Sequence, residues 1–458
     1  MTVLVQQISS YDTDVIRNFV KKALRLDESL ASALRPRDRE PLVVVKPNWV
    51  REAHQLDRDV WMPVITHPTV VLAVVEALAE ALEGAGTIAI CDAPITYADF
   101  SAILKRGDLE ARLAALRSSW PGVRVELIDL RRETWTVKDD VVVERRPNPP
   151  DPRGYVALDL GRDSLFYGHQ GEGRYYGADY DAGVVNRHHH GLVQEYLVSG
   201  TAIACDLFVN VAKLKTHKKT GITCCLKNLV GINGDKNWLP HHTEGSPGSG
   251  GDEFPKDALA HSLESQFRRL GRRAALELPL VGPWALRHMR SVGMRVLGDS
   301  LTTIRNGNWR GNDTCWRMAL DLNRALLYGN SDGSLRDAVS KPYLGIVDGI
   351  VGGEGNGPLC PDAVASGIML AGVDPAAVDA IACRLMGFEP GSLPLVEHAF
   401  DSHRWPIAGR RDVDVVDAGS GATTSWEALR AAMPRTFRPH FGWSSRPGEY
   451  AGAGLSQQ

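Results

Sequence analysis

The stretch KLKTHKKTGITCCLKNLVGINGDKNWLPHH, residues 213–242, places six lysines, three histidines and two adjacent cysteines within thirty positions. Ammonium groups at a strand end supply charge and donors to anions, and neighbouring glycines let backbone amides approach the same ligand. Lys46, Lys213, Lys215, Lys227 and Lys236, with Asn48, Asn210, Thr216 and Asn228 beside them, therefore read as holding a small anionic substrate. The plainer reading is a solvated basic loop, which is what most charge runs are. An imidazole exchanges protons near neutral pH and also binds transition metals. His67 and His217 are thus candidates for acid/base work, and His241 and His242 for metal ligation or acid/base work.

Carboxylates near other loops offer an oxygen site for a hard cation such as magnesium: Asp92, Asp348 and Glu354, with Asp379 a further candidate or a buried helix partner. The glycine-rich DGIVGGEGNGP, residues 348–358, has neither the lysine-serine ending of a phosphate loop nor the GxGxxG spacing of a dinucleotide turn. Cys224 and Cys225 read either as buried packing groups or as a thiol with a lowered pKa in an electropositive pocket.

These residues need elements to position them. LVVVKPNWV (42–50) is a β-branched run closing on Lys-Pro-Asn, HPTVVLAVVEALAEALEGAG (67–86) has helical spacing and ends in glycines, and TIAICDAP (87–94) is again strand-like. Strand, helix, strand implies a parallel sheet, whose loops at the carboxyl strand ends form the ligand edge. TAIACDLFVNVAKLK (201–215) reads as a buried strand that delivers the lysine and histidine cluster to that edge. Proline-rich 145–153 reads as a linker or crossing loop, YLGIVDGIVGGEGNGPL (343–359) as strand then glycine loop, and Asp374 as the cap of a helix begun by Pro375. The expected organisation is a two-lobed α/β protein with parallel or mixed sheets flanked by helices. Its parts are an N-terminal lobe at 1–255, an arginine-rich helical insertion at 256–310, a C-terminal lobe at 311–440 and a flexible tail at 441–458.

With 458 residues, 43% hydrophobic content and a formal net charge of −3, the chain has the profile of a globular protein, without the basic excess of a general nucleic-acid binder. Seven scattered cysteines without a CxxC pair exclude a disulfide framework and a ferredoxin-type cluster run. The start lacks the pattern of a secretory signal and no apolar run reaches about 18 residues, so a cytoplasmic location is expected.

Taken together, KPNW, THP, DLFVNVAKLKTHKKTGITCCLKNLVGI and DGIVGGEGNGP followed by LAGVDPAAVDAIACRLMG resemble the family of domain of unknown function 362, over roughly residues 40–390. Many of that family's members carry an iron–sulfur module, which this cysteine pattern lacks. A more distant resemblance is to lactate racemase-like proteins that hold a nickel pincer nucleotide. His217, Gly221 and Lys227 keep their spacing of histidine, glycine and lysine, and Thr66-His67 resembles their second proton-transfer dipeptide. The resemblance implies a proton-exchanging His217 and His67, a Lys227 that carries the cofactor covalently, and nickel on His241 or His242. The TCC before Leu226 and Lys227 departs from the small residues found there in the racemases.

Three expectations follow. The first is an isomerase or oxidoreductase moving a proton or hydride on a small anionic hydroxy acid or sugar derivative, with a divalent metal, nickel or magnesium, and with no organic cofactor assigned. A magnesium-dependent enzyme for a phosphorylated or nucleotide-linked substrate is the second. The third is a non-catalytic protein that meets a membrane surface, or a second copy of itself, through residues 256–310.

Overall fold

The computed structural model describes residues 1–36, 38–138, 141–179, 181–256, 302–339, 341–432 and 436–444. Eleven strands form the main sheet: β1 (Thr2–Gln7), β2 (Leu42–Pro47), β3 (Gly86–Asp92), β4 (Val123–Asp129), β5 (Leu207–His217), β6 (Gly221–Thr223), β7 (Tyr343–Asn356), β8 (Cys360–Val364), β9 (Ile368–Gly372), β10 (Asp414–Asp417) and β11 (Thr423–Thr424). Their spatial order is β11-β10-β1-β9-β7-β5-β2-β3-β4, with β6 on β5 and β8 on β7. The run β7-β5-β2-β3-β4 is parallel throughout, and β9 enters antiparallel between β7 and β1.

The sequence explains the burial. Every residue of β2, β3 and β5 is buried, as expected for central parallel strands covered on both faces, where apolar runs replace alternation. On one face pack α1 (Thr13–Ala23) and α2 (Pro68–Ala81), the latter with Pro68 at its first turn and buried continuously from Pro68 to Val75. The other face is covered by the short α3 (Cys225–Asn228), by α4 (Cys315–Tyr328) and by α5 (Pro375–Leu385). The Asp374 carboxylate accepts from the amides of Ala376 and Ala377 at 2.9 Å, a helix cap of the ordinary kind.

Four expectations change. Strands from before residue 255 and after residue 311 alternate within one sheet, because β7 and β9 insert between β1 and β5. Glycine-rich residues 349–356 are strand rather than loop: their missing side chains let β7 lie against Leu214, Ile368 and Lys215, which a Cβ at Gly349 or Gly353 would meet at 2.8–3.0 Å. Residues 201–204 form a short helix capped by Ser199 before β5 begins at Leu207, and residues 145–147 complete a hairpin strand, Val141–Pro147, paired with Glu133–Lys138. The helical insertion, with its membrane or dimer contact, falls largely on 257–301 and the tail largely on 445–458, outside the described residues. Among the described residues no helix is long and apolar enough to cross a membrane.

Candidate functional site

Parallel registry brings the polar ends of β2, β5 and β7 side by side, Asn210 opposite Lys46 and Lys213 opposite Asp348. Two ion pairs result. Lys46 Nζ lies 2.8 Å from Asp92 of β3, and Lys213 Nζ lies 2.8 Å from Asp348, with all four side chains at most 3% exposed. An amide chain links the two strands: Asn228 accepts from Lys46 Nζ at 3.0 Å and from Asn48 Nδ2 at 2.8 Å, and donates to Asn210 Oδ1 at 2.6 Å. Asn48 Oδ1 in turn accepts from Lys215 Nζ at 2.8 Å, and the Thr66 hydroxyl donates to Val211 O at 2.7 Å while accepting the Asn48 amide. Buried polar groups persist only when partnered in this way. Gly231 closes the arrangement, since a Cβ there would stand 1.9 Å from Asp92 Oδ1 and 2.5 Å from Lys46 Nζ.

His67 belongs to a different cluster. Its Nδ1 accepts the Thr69 amide at 3.1 Å and caps α2, its own amide donates to Asp348 Oδ2, and its ring stacks on Tyr11 at 3.6 Å. Burial pushes its pKa down to about 4, against the pull of Asp348. The charges acting on it are Asp348, Lys213 and Arg112, not those around His217. His67, an acid/base candidate from the sequence, thus caps a buried helix through Nδ1.

Lys227 acts electrostatically on both His217 and His241. Burial first, then Lys227, Lys218, His241 and Lys215, hold the His217 pKa well below the usual imidazole value. Burial, Lys227, Lys219 and Lys236 do the same to His241. Lys227 is itself 6% exposed and makes no side-chain hydrogen bond among the described residues; burial lowers its pKa. The strand-to-helix passage explains the placement. β5 runs to His217, the chain reverses through residues 218–220, Gly221 takes φ +82°, and β6 leads into α3, which carries Lys227 and Asn228. His241 and His242 come from the strand Pro240–Thr243, paired with Tyr175–Gly177.

The two rings are fixed in opposite proton states. Nδ1 of His217 accepts the amides of Lys219 (3.1 Å) and Thr220 (3.2 Å), so a neutral ring carries its proton on Nε2. Nδ1 of His241 faces the Leu239 carbonyl oxygen at 3.0 Å, which requires a proton there and leaves Nε2 as a lone pair. One imidazole offers a donor and the other an acceptor.

Lys236 also acts on His241, and the other predicted residues are dispersed. His242 stacks on Tyr176 with its Nδ1 3.4 Å from Lys219 Nζ, and Thr216 donates to Gly355 O. Lys236 donates to Val230 O at 2.9 Å, and burial brings its pKa down to about 7. Asp92, Asp348 and Glu354 do not form the expected metal set: the first two are neutralised by Lys46 and Lys213, and Glu354 accepts from the Arg438 amide at 2.9 Å. Among the described residues, the trio whose ligand atoms lie within 4.8 Å of one another is Cys224, Cys225 and Asp379. There the Asp379 carboxylate accepts the amides of Cys225 (2.7 Å) and Leu226 (3.1 Å), capping α3, with its pKa raised to about 7 by burial. Both thiols are buried and pushed up, the opposite of an activated cysteine. Tyr11 and Lys219 are the polar residues the sequence reading did not single out. Tyr11 donates to Asp348 from 337 residues away, which no local pattern signals, whereas Lys219 lay inside the quoted motif.

A family model described as "Domain of unknown function (DUF362)" matches residues 156–384. Comparison with curated proteins gives no match. Among solved structures the chain is similar to a crystal structure of a Thermotoga maritima protein, at 11% identity and a TM-score of 0.34, over 78% of this chain and 54% of that one. The chain thus spans about half the length of that protein.

Proposed function

The chain belongs to the DUF362 family, whose model takes in β5 to α5, and from the site on this segment we propose an enzyme that moves a proton on a small anionic hydroxy or oxo acid, or a sugar acid. The observation that carries this reading is the pair of neutral imidazoles in opposite tautomers beside a buried lysine that has no ion pair or side-chain hydrogen bond among the described residues. His241 Nε2, the free lone pair, accepts the proton from the carbon or hydroxyl next to the anionic group. His217 Nε2–H hydrogen-bonds the oxygen on which negative charge develops, a use of neutral imidazole that burial and surrounding lysines favour. Lys227 and Lys236 hold the anion, and the ion pairs Lys46–Asp92 and Lys213–Asp348 keep the strand ends rigid beneath it.

The racemase-like form of this reading adds nickel and a covalently held organic group. The residues fit in kind: Lys227 has a partner-free amine among the described residues and His241 has a lone pair at Nε2, and they would hold the group and the metal, which would leave the proton exchange to His217 in place of His241. When bound, such a group supplies hydride acceptance. The magnesium form has less support, because Asp92 and Asp348 already have lysine counter-ions.

Proton exchange in D2O tests the proposal. A panel of 2-hydroxy and 2-oxo acids, followed by NMR, should show deuterium entering next to the anionic group with wild-type protein. His217→Gln and His241→Gln should each slow it by about 100-fold or more. Exchange that survives in both variants, or fails across the panel, would remove the proposal. Elemental analysis with intact-mass spectrometry decides the racemase-like form: stoichiometric nickel and added mass on Lys227 support it, and an unmodified metal-free chain opposes it.

A further inference from the structure

Six buried lysines surround the strand ends, yet only two of them have a carboxylate partner among the described residues. Lys46 pairs with Asp92 and Lys213 with Asp348. Lys215, Lys219, Lys227 and Lys236, none more than 8% exposed, have no ion pair there. Two of these four are committed to neutral oxygens: Lys215 to Asn48 Oδ1 and Val64 O, Lys219 to the carbonyls of His241 and Asn306. The other two have donors to spare. Lys236 spends one of its three N–H groups on Val230 O, and Lys227 spends none among the described residues. Burying ammonium groups without an ion-pair partner is costly, so Lys227 and Lys236, which both act on His241 and of which Lys236 has Asp92 and Asp179 acting on it only from beyond ion-pair distance, point to a counter-charge supplied from outside.

We propose that this site takes a dianionic phosphoryl group, held between Lys227 and Lys236, with His217 Nε2–H left to the reacting oxygen. A single carboxylate would bring one negative charge to two ammonium groups, whereas a phosphoryl group brings two charges and three outward oxygens for donors on separate elements. The two ammonium groups come from α3 and from the turn at residues 236–238, so they reach the group from different elements. The proposal rests on the proton-transfer reading for where the reacting atoms lie, but binding alone tests it. Because burial has drawn the empty lysines toward the neutral form, arrival of a dianion re-protonates them, and binding takes up protons.

Isothermal titration at about pH 8 with inorganic phosphate, and separately with acetate, in two buffers of different ionisation enthalpy is the test. Phosphate should saturate, acetate should bind at least about tenfold more weakly, and the phosphate heat should differ between buffers in the sense of proton uptake. Lys227→Met and Lys236→Met should each weaken phosphate by about tenfold or more, while Lys138→Met, on the remote hairpin, leaves it unchanged. Equal affinity for acetate and phosphate, no saturation, or an unaltered Lys227→Met would overturn the proposal. The buffer dependence is read on the wild-type protein and needs no variant to fold. Neither arm measures turnover, so a failure here leaves the proton-exchange reading to its own test.

Discussion

Lys227 and Gly231 show how differently two neighbouring residues serve the site. A buried ammonium without a partner among the described residues opposes folding, so Lys227→Met, which keeps the apolar stem and removes the charge, should stabilise the protein by about 1 kcal/mol while weakening phosphate by about tenfold or more. Denaturant unfolding of the empty protein measures this, and a lower midpoint with unchanged binding would refute it. Gly231→Ala acts in the opposite direction, since its Cβ would displace Asp92 Oδ1 from 1.9 Å and Lys46 Nζ from 2.5 Å. Separating that buried pair should cost about 3–5 kcal/mol, read as a fall in the urea midpoint. A midpoint within the range of ordinary surface changes would mean that the loop yields instead.

At the scale of elements, β2 and β3 are joined by Lys46–Asp92 as well as by their ladder. Lys46→Met alone strands the Asp92 carboxylate in the interior and should lower stability by about 3 kcal/mol or more, whereas Lys46→Met with Asp92→Leu should recover most of that loss. Additive losses in the double variant would show that the pair is not the coupled unit. These strands were legible in the sequence because β-branched runs ending in Lys-Pro-Asn or Cys-Asp-Ala-Pro mark central strands that open onto a loop edge. The glycine-rich β7 was not, because its glycines reflect close packing against Leu214 and Lys215, a tertiary cause that local propensity does not register. The same limit applies to the site. The motif at 213–242 carried Lys227, His217 and His241 together, but the cap made by His67 and the lysine counter-ions of Asp92 and Asp348 arise from contacts between distant segments.

For the whole molecule, buried lysines shape the response to pH. Lys219 and Lys236 have folded values of about 8 and 7 against an ordinary 10.5, and Lys215 and Lys227 are also lowered. From about pH 7 up to about 10.5 these lysines hold more protons in the unfolded chain than in the folded one, so they make stability rise with pH. His67, held at about 4, acts in the same sense below its ordinary 6.5. Asp379, raised to about 7, opposes this only at lower pH, where the folded carboxyl keeps a proton that the unfolded one has lost. Above about pH 9 the buried thiols of Cys91, Cys224 and Cys383 stay protonated when folded and oppose this trend. Stability that rises from about pH 7 to 8.5, before the thiols act, is the expected result of melting curves across this window. A maximum near pH 6 would contradict the lysine assignment.

The opposed proton states of His217 and His241 are the central claim, and 15N NMR of the imidazole nitrogens at about pH 7 tests them without a substrate. The account predicts two neutral rings, His217 with its proton on Nε2 and His241 with its proton on Nδ1, assigned by loss of each signal in His217→Gln and His241→Gln. Two rings in the same tautomer, or a protonated imidazolium at either position, would contradict it.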